Sequence, residues 1–195
     1  MRKNSYKKYE APGKWYGTRK SRRIIRLIVE IVIVLALAFL FAQGFCSQVT
    51  IQEGSMDPTV ATGESVLVDR VTKVLPFPGI RRGDLIVYHG TGMTDTALHL
   101  KRVIGLPGET IEIRNGQIRI NGNVYNENKD FPLMVSGGVA GESVVLGRDE
   151  YFVLGDNRNN SEDSRHSEIG NISKENILGK AWLVISPFSK IRFIK

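Results

Sequence analysis

Residues 98–120 read L-H-L-K-R-V-I-G-L-P-G-E-T-I-E-I-R-N-G-Q-I-R-I, and the punctuation of this stretch decides the fold class. The β-rich run from Leu98 to Ile104 stops at Leu106-Pro107-Gly108, where proline and glycine favour a turn. Thr110–Arg114 then alternates apolar and polar residues, Asn115-Gly116 marks a tight turn, and Gln117–Ile120 alternates back. A period of two puts successive side chains on opposite faces, so these segments are strands. Working outward, Gln48–Gln52, Ser65–Val68, Leu85–Tyr88, Glu150–Leu154 and Ala181–Ile185 read the same way, and Asn121-Gly122 is a further turn. Residues 127–147 are glycine-rich and weakly patterned, and we expect an inserted loop or small subdomain there. Residues 46–195 are therefore expected to form a mostly β domain of short antiparallel strands. Its single cysteine, Cys46, excludes an intramolecular disulfide.

The N-terminal quarter is different. Ile31 to Ala42 carries no polar residue, and extension over residues 24–45 reaches the roughly 20 residues that a bilayer core requires. Glu30 interrupts the extension but stands four residues from Arg26, a spacing that suits a helical ion pair. We expect one transmembrane helix. The chain's net charge is +7, but residues 1–26 hold ten basic residues and one acid, leaving 17 bases and 19 acids of the totals 27 and 20. The basic excess thus belongs to the tail, which argues against a nucleic-acid-binding face. By the positive-inside rule, residues 1–23 are expected in the cytoplasm and residues 46–195 outside the cell membrane. Phe77 and Ile80, in a Pro-Phe-Pro-Gly-Ile loop, are expected either to meet the outer leaflet or to pack.

Four segments stand out chemically. In Glu53-Gly54-Ser55-Met56-Asp57-Pro58-Thr59 a serine sits at a sharp bend after a strand. In the strand around Lys101, alternation groups Lys101 with His99 and Val103 on one face and Leu98, Leu100 and Arg102 on the other. Periodicity does not say which face is inside. Arg82-Gly83-Asp84 reads as a structural turn before a core strand. Gly155-Asp156-Asn157-Arg158-Asn159-Asn160-Ser161-Glu162-Asp163-Ser164-Arg165 is a dense polar run after the apolar Tyr151–Leu154.

Taken in order, Ser55-Met56 with Pro58-Thr59, Gly83-Asp84, Lys101-Arg102-Val103 with Gly105 and Pro107-Gly108, and Gly155-Asp156-Asn157-Arg158 with Asn160-Ser161 and Asp163-Ser164-Arg165 resemble the bacterial type I signal peptidases, in their short single-anchor form. The resemblance covers the anchor and nearly all of residues 46–195. It implies a membrane-bound serine endopeptidase that removes signal peptides from exported preproteins after small-x-small sites such as Ala-x-Ala, with no metal and no cofactor. It implies Ser55 as nucleophile and Lys101 as general base, with Ser161 orienting the lysine amine, Asp163 and Arg165 as an ion pair in the wall, and Asp156 and Arg158 as further scaffold. Thr50, Ile51, Gln52 and Glu53 on one side, and Leu98, His99 and Leu100 on the other, are the implied rails for an extended substrate strand. The lysine serves as base only if its pKa falls from about 10.4 toward roughly 7–8. Burial would achieve this, so a dry site with no carboxylate close to the amine is expected. Two residues depart from the family pattern. Glu53 stands where some relatives have a serine that serves the oxyanion, and Asn159 stands where many have aspartate. A Ser-His-Asp protease using His89, His99 or His166, a self-cleaving repressor of the SOS type, and a non-enzymatic β scaffold remain as rival readings.

Overall fold

The computed structural model describes residues 19–71, 79–90, 97–127 and 129–195. Residues 1–18 of the expected basic tail, and Phe77 in the Pro-Phe-Pro-Gly-Ile loop, lie outside them. Two units separate, residues 1–44 and 45–195. In the first, α1 runs from Arg19 to Phe45. Its apolar side chains from Ile24 to Phe39 are exposed. Arg22, Arg23, Arg26 and Glu30 punctuate its first half. Among the described residues no helix is long and apolar enough to cross a membrane.

The second unit is mostly β. In chain order its strands are β1 (Cys46–Thr50), β2 (Ser65–Asp69), β3 (Leu85–His89), β4 (Leu98–Gly105), β5 (Thr110–Arg114), β6 (Gln117–Ile120), β7 (Asn123–Val124), β8 (Val144–Val145), β9 (Glu150–Leu154), β10 (Ile172–Ser173), β11 (Ile177–Ser186) and β12 (Arg192–Phe193). The larger sheet has the order β1-β2-β11-β3-β4-β9-β10, with β12 added alongside β11, and the smaller has the order β7-β6-β5-β8. Neighbours in both are antiparallel. The strands anticipated from alternation stand within a residue or two of their expected bounds, except that β11 starts four residues before Ala181. Asn115 and Gly116 take positive φ, 54° and 74°, as a tight turn between β5 and β6 requires.

Alternation builds the core from both faces of the larger sheet. Val49, Val66, Val68, Leu85, Val87, Leu100, Ala181 and Val184 form one buried cluster, joined by Ile51, Met56 and Val60 from the segment after β1. Ile86, Tyr88, Val103, Tyr151, Val153, Ile172 and Ile177 form another, against which Ile80 packs. The smaller sheet has its own cluster, and Met134, Ala140 and Leu146 enter it from residues 127–147. That glycine-rich stretch thus contributes β8 and core residues.

Candidate active site

Ser55 is held by buried neighbours on both sides. Ile51 continues the β1 pairing beyond the strand: its N–H donates to Glu64 O at 2.9 Å, and its carbonyl accepts from Gly63 N at 2.7 Å. After the bend, fully buried Met56 accepts at its carbonyl from Val60 N at 3.0 Å. Between these anchors Ser55 has little freedom. Lys101 lies on β4, opposite Ile86 of β3, and shares its face with His99 and Val103 as alternation anticipates. Its side chain is 0 % exposed. Leu100 and Arg102, on the other face, are buried too, because β4 is central in the sheet.

The two meet. Lys101 Nζ donates to Ser55 Oγ at 2.9 Å. A third group joins them: Lys101 Nζ also donates to Glu53 Oε2 at 2.7 Å, and Ser55 Oγ donates to the same oxygen at 3.1 Å. The other carboxylate oxygen, Oε1, is hydrogen-bonded to His99 Nδ1. Burial alone would raise the pKa of Glu53, but the His99 hydrogen bond, then the charge and hydrogen bond of Lys101, outweigh it and hold the carboxyl at about 2. This corrects the expectation of a site without a close carboxylate. Strand geometry explains it: Glu53 lies two residues before Ser55 and reaches the face that carries Lys101 and His99. It also fixes which way Glu53 points. As an anion it accepts from Lys101 and Ser55 and has no proton to give.

Ser161 is a second correction. Its hydroxyl was expected on the lysine amine, yet Ser161 Oγ is buried with no hydrogen-bond partner among the described residues. Lys101 donates to Glu53 and Ser55 instead. Ser161 nevertheless lies close to Ser55. A Cβ built on Gly155 would fall 2.1 Å from Ser161 Oγ and 2.5 Å from Ser55 O, so only glycine lets these two segments approach.

The polar run after β9 is a wall of charge pairs. Asp163 accepts from Arg165 Nε at 2.8 Å and Arg165 Nη2 at 2.8 Å, and also from Gly155 N at 3.1 Å. Asp156 takes both oxygens to Arg102, from Nε and Nη2 at 2.6 Å each, and accepts from Thr59 Oγ1 at 2.5 Å. Arg158 forks onto Glu127, and Phe131 stacks on its guanidinium with 4.0 Å to the ring centroid. Asn157 ties the run to the turn that bears Ser55, its N–H donating to Ser55 O at 3.0 Å and its amide to Gly54 O at 3.2 Å. Asn159 clasps residues 133–135, accepting from Val135 N at 2.9 Å and donating to Leu133 O at 3.1 Å. An aspartate has no N–H for the second of these bonds.

A groove of about 1580 Å³ opens beside Ser55. Thr50, Gln52, Glu53, Leu98 and His99 line it, whereas Ile51 and Leu100 do not. Both are buried core residues instead.

The sequence pattern of the family described as signal peptidase, peptidase S26, matches residues 24–186 of this chain. The chain belongs to that family. Signal peptidase I U of Bacillus subtilis strain 168 is 37 % identical over 186 residues, covering 91 % of this chain and 97 % of the relative. Signal peptidase I P of Bacillus subtilis subsp. natto is 36 % identical over 187 residues, with coverage of 91 % and 97 %. Signal peptidase IB of Staphylococcus aureus strain COL is 30 % identical, with coverage of 88 % and 94 %. A crystal structure of a signal peptidase I from Enterococcus faecalis V583 is similar to 52 % of this chain and 95 % of its own, at 30 % identity and a TM-score of 0.43. As a signal peptidase I the chain is a serine protease, a hydrolase.

Arg102, Thr59, Glu127 and Phe131 complete the wall of this peptidase's site. Arg102 and Thr59 stand in the quoted motifs, where no role was read for them, whereas Glu127 and Phe131 lie in the weakly patterned stretch and gave no signal.

Proposed function

We propose that this peptidase is anchored in the cell membrane by α1, with its N-terminus cytoplasmic and its β unit extracytoplasmic. There it cleaves exported preproteins after small-x-small motifs, using Ser55 as nucleophile and Lys101 as general base. The observation that carries the dyad is the 2.9 Å contact between Lys101 Nζ and Ser55 Oγ, made by an amine with no solvent exposure. The rival serine–histidine reading lacks such support: among the described residues, Ser55 Oγ bonds to Lys101 and Glu53. The anchor is supported by the apolar side chains that α1 exposes on all sides and by the basic residues crowded before and into its first turns.

In this reading the substrate lies extended between the strand end at Thr50–Glu53 and β4, where alternate side chains enter the groove. Lys101, uncharged at that moment, takes the proton of Ser55 as Oγ attacks the scissile carbonyl carbon. The backbone N–H of Ser55 faces the oxyanion that forms. Lys101 then passes its proton to the departing amine, leaving an acyl-enzyme. A water attacks that ester, its proton goes to Lys101 and from there to Ser55 Oγ, and the cleaved signal peptide leaves with its new carboxylate. Tethering raises the effective concentration of enzyme at substrates held in the same bilayer.

The test is cleavage of a preprotein bearing an Ala-x-Ala site, with the product's new N-terminus sequenced. Ser55→Ala and Lys101→Ala are each expected to abolish turnover while the thermal transition stays within a few degrees of wild type. Substantial cleavage by either variant refutes the dyad, and a new N-terminus away from the small-x-small site refutes the specificity.

A further inference from the structure

Glu53 occupies a place that a serine–lysine mechanism does not need filled. One of its oxygens accepts from both members of the dyad, Lys101 Nζ at 2.7 Å and Ser55 Oγ at 3.1 Å, while the other bonds to His99. An ammonium beside a carboxylate keeps its proton to higher pH than one beside a neutral group. A serine hydroxyl whose proton is directed at a carboxylate is not aimed at the amine that must take it. The arrangement seen is therefore a closed, charge-paired form of the site.

It also has a way to open. Lys101 is wholly enclosed, but the Glu53 side chain is 34 % exposed and that of His99 is 23 % exposed, and both line the groove in which substrate would lie. Glu53 is the last residue before the Gly54-Ser55 bend, on the rail along which a substrate strand would pair. Ser161 Oγ, buried without a partner among the described residues and packed against Gly155 as Ser55 is, offers an acceptor near the nucleophile that the closed form leaves unused.

We propose that Glu53 is a positioning residue that locks the dyad in a resting ion pair, and that His99 is the partner that draws the carboxylate aside when a substrate strand enters the groove. This rests on the serine–lysine reading above. The charged and titratable groups around Glu53 are His99 and Lys101 of β4, Tyr88 of β3 against the His99 ring at 5.6 Å between centroids, and Arg158, Glu162, Arg165, His166 and Glu168 along the far wall of the groove. Of these, Lys101 and His99 are the two to which Glu53 is hydrogen-bonded.

The experiment measures kcat/KM against pH for the full chain in detergent micelles, with a purified preprotein carrying an Ala-x-Ala site. Glu53→Gln keeps the shape and removes the charge. It is expected to stay active and to move the acid limb of the profile down by about one pH unit, so that activity on that limb rises up to about tenfold. His99→Ala, which removes the bond to Oε1 and leaves the carboxylate to Lys101 and Ser55, is expected to move the limb the other way. A merely structural role for Glu53 would lower activity at every pH without moving the limb. Ser55→Ala and Lys101→Ala, run alongside, separate the two ideas. If either is active, the dyad fails. If both are inactive and a folded Glu53→Gln shows an unmoved limb or no turnover, the lock alone is overturned. Should Glu53→Gln fail to fold, His99→Ala decides: an upward shift supports the lock, and an unmoved limb overturns it.

Discussion

Replacing Asp156 by alanine tests the wall of the site through stability. The Asp156 side chain has no solvent exposure and that of Arg102 only 6 %. Alanine removes two charge-assisted bonds at 2.6 Å from Arg102 and one at 2.5 Å from Thr59. It leaves the Arg102 guanidinium with the carbonyl of Gly83 at 2.6 Å and the Phe131 ring at 5.7 Å, neither of which carries a compensating charge. Lys129 adds to the cost. Burial first, and then the Arg102 charge, hold its ammonium below the ordinary lysine value, while Asp156 acts in the opposite direction. Leaving one partner of a buried pair uncompensated costs about 3–5 kcal/mol. In a unit of this size that lowers the thermal midpoint by about 10 °C. The assay is thermal unfolding in detergent micelles followed by tryptophan fluorescence, with Arg102→Met and the double variant Arg102→Met/Asp156→Leu alongside. Both single variants should lose several kcal/mol, and the double variant should recover most of that, since the burial cost of both charges is then gone. A loss below about 1 kcal/mol in Asp156→Ala, or strictly additive losses in the double variant, refutes the reasoning.

Two further outcomes follow from the site's geometry. Glu53, held at about 2 instead of 4.5, binds its proton more weakly folded than unfolded, so its contribution is complete above about pH 4.5 and lost as pH falls through about 2. Discounted for its partial exposure, this amounts to about 1–2 kcal/mol, and wild type should lose that much more stability than Glu53→Gln between pH 5 and 2 in urea titrations. Gly155→Ala forces a methyl group to within 2.1 Å of Ser161 Oγ and 2.5 Å of Ser55 O, which must displace the nucleophile's turn. We expect kcat to fall by at least about a hundredfold with a smaller change in KM, measured on the same preprotein.

How much of this was legible in the residues differs from element to element. The hairpin of β5 and β6 was readable because its turn demands two positive-φ positions and Asn115-Gly116 supplies them. The face shared by Lys101, His99 and Val103 followed from alternation, but its enclosure did not. That depends on β4 having β3 on one side and β9 on the other, a neighbourhood set by pairing across the chain. Glu53 was visible as a departure, yet its bonds to Lys101 and His99 join positions more than 40 residues apart, which no local pattern encodes. Residues 127–147 looked unstructured because they lack a period. What orders them is external: Asn159 clasps residues 133–135, and Val139 N donates to Arg165 O at 2.9 Å. The hydroxyl of Ser161 belonged to the right neighbourhood, but its expected bond assumed an amine that Glu53 had not already engaged.

The position of β11 has a consequence for how this enzyme is assembled. The segment bearing Ser55 is joined to β2 through β1, and the strand bearing Lys101 is joined to β3, but β2 and β3 do not pair with each other. The strand that bridges them is Ile177–Ser186, close to the C-terminus. During synthesis both segments therefore emerge long before the strand that connects their two half-sheets. Until it is made, the two are tied through the loop after β9, whose Asp156 bonds both Thr59 and Arg102, and β11 closes the sheet late.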